Sequence, residues 1–160
     1  MIDTEKAFSE AGFELVEQDG GCHAPDMNWL SILCAGAAYW VLGFVWYSLL
    51  FGGIWGAEQE RHRREGCAPS AKREFAGMLI ATFVSNLVAS AAIAYLLHRT
   101  GTVDLQHALK LGAGLAVGFS ITTLTIVHVW ERKSTKVWMI DASYHLFGCL
   151  IAAAILVSWR

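Results

Sequence analysis

The chain has 160 residues, 55% of them apolar and 16% charged, with a formal net charge of −2. A soluble domain this small cannot cover so much apolar surface, whereas four membrane spans of roughly 20 residues would use nearly the whole length and leave no room for a separate soluble catalytic domain. There is no dense Lys/Arg patch of the kind that binds nucleic acid, and Cys22, Cys34, Cys67 and Cys149 show neither CxxC nor CxxCH spacing, so no metal, haem or other cofactor is expected.

Residues 1–26 form an acidic tail, with Asp3, Glu5, Glu10, Glu14, Glu17, Asp19 and Asp26 set against Lys6. Acids at the start do not suit a cleaved signal peptide, so the tail is expected to remain on the mature protein. Phe8, Phe13, Leu15 and Val16 fit one helix face loosely, which leaves a short amphipathic helix and a frayed tail as alternatives. Residues 27–160 predict an all-α fold, a four-helix transmembrane bundle with short loops and spans at about 27–52, 75–98, 108–129 and 137–159.

The first span, WLSILCAGAAYWVLGFVWYSLLF, carries no charge, and Trp29 and Trp55 suit interfacial anchors. Trp40, Gly43 and Tyr47 fall on one helical face. Packing or headgroup anchoring is the ordinary use of such a face, and contact with a lipid, quinone or pigment through Trp40 and Tyr47 is the sharper one. The basic segment ERHRREGCAPSAKRE follows and reads as a loop.

In the second span Ala81, Ser85 and Ala89 recur every four residues, a spacing for close helix packing. Asn86 shares a face with Thr82 and Ser90 and needs an interhelical partner. The third span carries Gly114 and Gly118 as a GxxxG that continues to Thr122 and Thr125, suited to packing within the bundle or to a dimer of two chains. His98, His107 and His128 read as interface histidines. Haem ligation by His128 and His145 is disfavoured because the two fall at different depths.

The fourth span contains VWMIDASYHLFGCL, where Asp141 and His145 are four residues apart and so share a face, about 6 Å apart along the axis. Gly148 and Ala152 continue that face. An ionisable pair within a span is costly unless paired or wet, so Asp141, His145, Tyr144 and Asn86 form a candidate site for a proton, a cation or a polar ligand. The structural alternative has Asp141 capping the helix or meeting Arg132 or Lys133, with His145 bonding a neighbouring hydroxyl.

Arg61, Arg63, Arg64, Lys72, Arg73, Arg132, Lys133 and Lys136 lie in the first and third connections, against Lys6, Arg99, Lys110 and Arg160 on the other side. That excess predicts an inner-membrane, multi-pass protein with those two connections in the cytoplasm and both termini outside it. The two helical hairpins show no repeat, so the inverted-repeat architecture of many transporters has no support.

The stretch MNWLSILCAGAAYWVLGFVWYSLLFGGIW resembles the opening of the bacterial membrane proteins grouped as DUF1761, and VWERKSTKVWMIDASYHL resembles their final loop and last helix. The likeness runs from about Met27 to the C-terminus. Trp46, Tyr47 and Ser48 match a WYSPLFG-like motif, with Leu49 where proline is usual. Ile140, Ala142, Tyr144 and His145 match an INAGYH-like motif, with Asp141 in place of asparagine. The resemblance implies a small four-helix membrane protein and, for a family without an assigned function, little more. It also implies that a negative charge at position 141 is not a shared chemical requirement.

The expected function is a non-enzymatic packing or accessory subunit, associating with itself or with a larger membrane complex. The alternative is a small proton-linked transporter or channel-like protein with a polar cavity around Asp141 and His145. An enzyme is disfavoured, since no Ser/His/Asp or Cys/His arrangement and no Gly-rich phosphate loop is present.

Overall fold

The computed structural model describes residues 28–64 and 72–159. The acidic tail with its candidate amphipathic helix, Cys22 and Cys67 lie outside the described residues. Helices are what apolar sequence must form in lipid, where each backbone N–H and C=O needs a partner within its own segment. Four helical stretches are long and apolar enough to cross a membrane: Trp29–Leu50, Ala76–Arg99, Leu105–Glu131 and Thr135–Ser158. There is no strand among the described residues.

Capping sets the boundaries. Helix α1 (Trp29–Phe44) starts at Asn28, whose side-chain oxygen accepts from the Leu30 N–H at 3.0 Å. It runs into a π-helical turn, Val45–Leu50, and then Phe51 leaves helical geometry (φ −122°, ψ 16°). The basic segment read as a loop instead begins with a further helix, α2 (Gly52–Arg64). Its charges sit at helical spacing, and Arg61 pairs with Glu58 and Arg64 with Glu60. Helix α3 (Lys72–Arg99) is followed by Gly101 at φ 61°, where glycine avoids the steric penalty of the left-handed turn.

Helix α4 (Leu105–Leu115) is capped by Asp104, which accepts the His107 N–H at 3.1 Å, so the third span begins earlier than its apolar run alone suggests. A second π-helical turn, Ala116–Ile121, joins it to α5 (Thr122–Glu131). Arg132 in the left-handed region (φ 51°) ends α5, and Ser134 caps α6 (Thr135–Ser158). The last two spans are thus joined by only Arg132, Lys133 and Ser134.

The fourth span is the hub: it packs on the first, second and third, the first also packs on the second, and the third rests mainly on the fourth. Exposed Val41, Phe44, Ile80, Val88, Phe119 and Ile126 give the outside an apolar cover suited to lipid.

The small residues that make these contacts differ from those the sequence spacing singles out. On the third span the packed stripe is Ala108, Gly112 and Ala116, all buried; a Cβ at Gly112 would come within 2.9 Å of the Cys149 carbonyl oxygen. Gly114 and Gly118 sit on the exposed opposite side, and a Cβ added to either would meet nothing within 4 Å. On the second span Asn86, Ser90, Ile93 and Leu97 are buried, whereas Ala81 and Ser85 are exposed and Ala89 only half-buried. Packing within one chain therefore does not use Gly114, Gly118, Ala81 or Ser85. Two small-residue stripes on opposite sides of one helix are equally visible in sequence, and the shape of the fourth span selects between them.

Candidate functional site

Polar side chains from all four spans converge on the fourth. Its Asp141 is held from two sides: the Tyr47 hydroxyl donates to Oδ1 at 2.8 Å, and His128 Nε2 lies 3.2 Å from Oδ2. The approach of His128 is an ion-pair distance without hydrogen-bond alignment, so Nε2 counts as buried and unpartnered even though a carboxylate oxygen stands beside it. The other ring nitrogen, Nδ1, lies 2.9 Å from the Leu124 carbonyl oxygen, one turn back on the same helix.

One turn further along α6, Nδ1 of His145 lies 2.7 Å from the Tyr39 hydroxyl. Between these two contacts, Tyr144 is buried, and its hydroxyl accepts from Asn86 Nδ2 at 2.9 Å. Its ring lies 5.3 Å from those of Tyr39 and Tyr47 and 4.9 Å from the His145 imidazole, centroid to centroid. The Trp46 indole N–H donates to the Ile140 carbonyl at 3.1 Å, fixing the depth of the first span against the fourth.

Two glycines make room for this cluster. A Cβ at Gly148 would stand 1.9 Å from the Tyr39 ring, and one at Gly43 would stand 3.1 Å from the Tyr144 hydroxyl. Gly148 thus lets the Tyr39 ring approach the fourth helix closely enough to reach His145.

Asp141, His145, Tyr144 and Asn86 are brought into one neighbourhood. Asp141 and His145 share a face, but each turns to a different partner on another span. Asp141 does not cap α6, since Ser134 does, and the nearby Lys133 pairs with Glu131. Trp40 and Tyr47 do not form one aromatic surface. Trp40 donates its indole N–H toward Leu79 and Thr82 of the second span, while Tyr47 turns to Asp141 of the fourth. The π-helical turn that starts at Val45 changes the angular spacing beyond Trp40, so a constant 3.6-residue period misplaces Tyr47.

Sequence spacing does not identify His128 and Tyr39. The cue for His128 is a lone imidazole near the end of an otherwise uncharged stretch; the three-residue turn after α5 brings it level with Asp141. No such cue exists for Tyr39, whose place depends on Gly148 of a distant span.

Among the described residues, no three His, Cys, Asp or Glu side chains gather as a metal-binding group. A groove of 390 Å³ lined by Cys34, Ala154, Ile155, Ser158 and Trp159 lies at the opposite end of the fourth span, away from the polar cluster.

The sequence profile of a family described as "Protein of unknown function (DUF1761)" matches residues 30–157. No curated protein and no solved structure matches the chain.

Proposed function

The chain belongs to the DUF1761 family, to which no function is assigned, and from its architecture we propose that it is a non-enzymatic packing or accessory subunit, associating with itself or with another membrane protein through the uncovered face of its third span. The carrying observation is the open Gly114/Gly118 face on a helix that already uses Ala108, Gly112 and Ala116 to hold its own bundle. Close backbone approach at small residues is what drives helix association where lipid supplies no hydrophobic force. In this reading that end of the bundle faces the cytoplasm and both termini lie on the far side of an inner membrane, which the excess of Lys and Arg in the first and third connections supports.

The test is subunit counting of the protein in native-lipid nanodiscs, with crosslinking in membranes beforehand. Oligomers or a stoichiometric partner that Gly114→Leu and Gly118→Leu disrupt are the expected result. A bare monomer by both methods would overturn the reading.

A second reading, a small proton-linked transporter or channel-like protein, is favoured by the gathering of Asp141, His128 and His145 within apolar helices. It predicts pH-dependent flux in sealed vesicles that changes with Asp141→Asn and His145→Ala; unchanged flux in both variants would remove these residues from any transport.

A further inference from the structure

We propose that His128 and Asp141 form a one-proton site within the bundle, the pair holding a single proton, on Nε2 or on Oδ2, where the third span meets the fourth. The inference does not depend on either functional reading, because it concerns where a proton resides and not whether protons cross the membrane.

The argument is one of donors and acceptors. A carbonyl oxygen can only accept, so the 2.9 Å contact with Leu124 places a hydrogen on Nδ1 of His128. A neutral ring then carries a lone pair on Nε2, and 3.2 Å away stands Oδ2 of Asp141. If Asp141 is ionised as well, a lone pair and an anionic oxygen oppose each other at a residue that is only 5% exposed. The imidazole side chain is 6% exposed and the carboxylate 17%. Nε2 has no hydrogen-bond partner, and the second carboxylate oxygen already accepts from Tyr47 at 2.8 Å.

One proton removes the conflict. On Nε2 it gives an imidazolium beside a carboxylate; on Oδ2 it gives a carboxylic acid facing a neutral imidazole. In both cases the pair has no net charge, whereas without that proton it carries −1 and with a second it carries +1. A net charge is the costly state inside a bilayer, so the singly protonated pair is the form the surroundings favour.

Other titratable groups face the site without replacing this proton. The first span contributes Tyr47, on Asp141, and Tyr39, on His145; the fourth adds Tyr144, His145 and Cys149. The second contributes the non-ionisable Asn86. In the adjoining connections Glu58 pairs with Arg61, Glu60 with Arg64, and Glu131 with Lys133. Asp141 is six residues from the start of α6, about 9 Å by helical rise, a short path for a proton from water at that end.

The experiment uses the full chain in nanodiscs of phosphatidylcholine and phosphatidylglycerol, with ¹⁵N-labelled histidine and ¹³C-labelled aspartate. At pH 7, solid-state NMR reads both ring nitrogens of His128 and infrared spectroscopy reads the Asp141 carboxyl. The expected result is one proton on the pair: a doubly protonated His128 ring with an ionised Asp141, or a protonated Asp141 carboxyl with a neutral ring. In Asp141→Asn, whose amide N–H can donate to Nε2 without an added proton, His128 is expected neutral with its hydrogen on Nδ1. A wild-type protein with His128 neutral and Asp141 ionised overturns the proposal, as does an imidazolium that persists in Asp141→Asn. The wild-type spectra decide the matter even if the variant fails to fold.

Discussion

The third and fourth spans are both long apolar helices, yet only 17% of the most apolar window of the third is buried against 44% of the fourth. The fourth has neighbours on three sides and turns Trp138, Asp141, Tyr144 and His145 against them. The third touches the bundle along one stripe and leaves another, Gly114 and Gly118, facing outward. Similar composition therefore yields a structural hub in one case and a surface in the other, because position in the bundle decides which small residues are spacers and which are free.

The largest effect that would sharpen this contrast is expected from Gly148→Ala. Its methyl group overlaps the Tyr39 ring, so either the ring leaves His145 or the first and fourth spans separate. The expected cost is about 1–3 kcal/mol, the usual range for overpacking, read as a lowered unfolding midpoint in detergent micelles. Gly118→Ala on the third span, with open space around it, should leave that midpoint within about 0.5 kcal/mol. Equal losses in the two variants would break the distinction between hub and surface.

Next comes association. Gly114→Leu with Gly118→Leu is expected to weaken self-association at least tenfold, about 1.4 kcal/mol, by subunit counting at graded protein-to-lipid ratios, while the monomer's unfolding midpoint stays unchanged. Gly112→Leu should do the reverse, parting the third span from the fourth through the Cys149 carbonyl.

A smaller change is expected from Asn86→Leu, which removes the donor to the Tyr144 hydroxyl. Interhelical hydrogen bonds of this kind are worth about 0.6 kcal/mol in membranes, so the loss should be modest and confined to the midpoint of unfolding. A loss above about 2 kcal/mol would mean that the tyrosine cluster acts as one unit.

The smallest effect lies at the exposed start of the third span. Hydrogen bonds from the His107 backbone and ring hold the Asp104 carboxyl below its usual range. A folded-state value below the unfolded one means that the capping contribution is present above the unfolded pKa of about 4 and is lost as pH falls through the folded value. Amide hydrogen exchange at residues 105–108 should therefore quicken, relative to exchange in an unfolded reference peptide, below about pH 4. The first turn of the fourth span, capped by Ser134, should show no such quickening, and Asp104→Asn should remove the response.

Four helices, their approximate spans and the candidate polar residues of the fourth are legible in the sequence, because lipid enforces helices on long uncharged runs and penalises every ionisable group left inside one. The partners are not legible. Asp141 lies near Arg132 and Lys133 in sequence yet meets Tyr47 and His128, since a three-residue turn sets α5 alongside α6 and the first span crosses at the same level. Local spacing also misplaces Tyr47, because a π-helical turn shifts register where a straight helix would continue, and it misses α2, where salt-bridged charges extend a helix beyond the apolar run. The sequence by itself determined what each segment must be in a lipid solvent; the tertiary structure alone decided which face of each helix turned inward. That choice depends on matching a ring to a glycine, as Tyr39 fits Gly148, and such complementarity exists only between segments far apart in the chain.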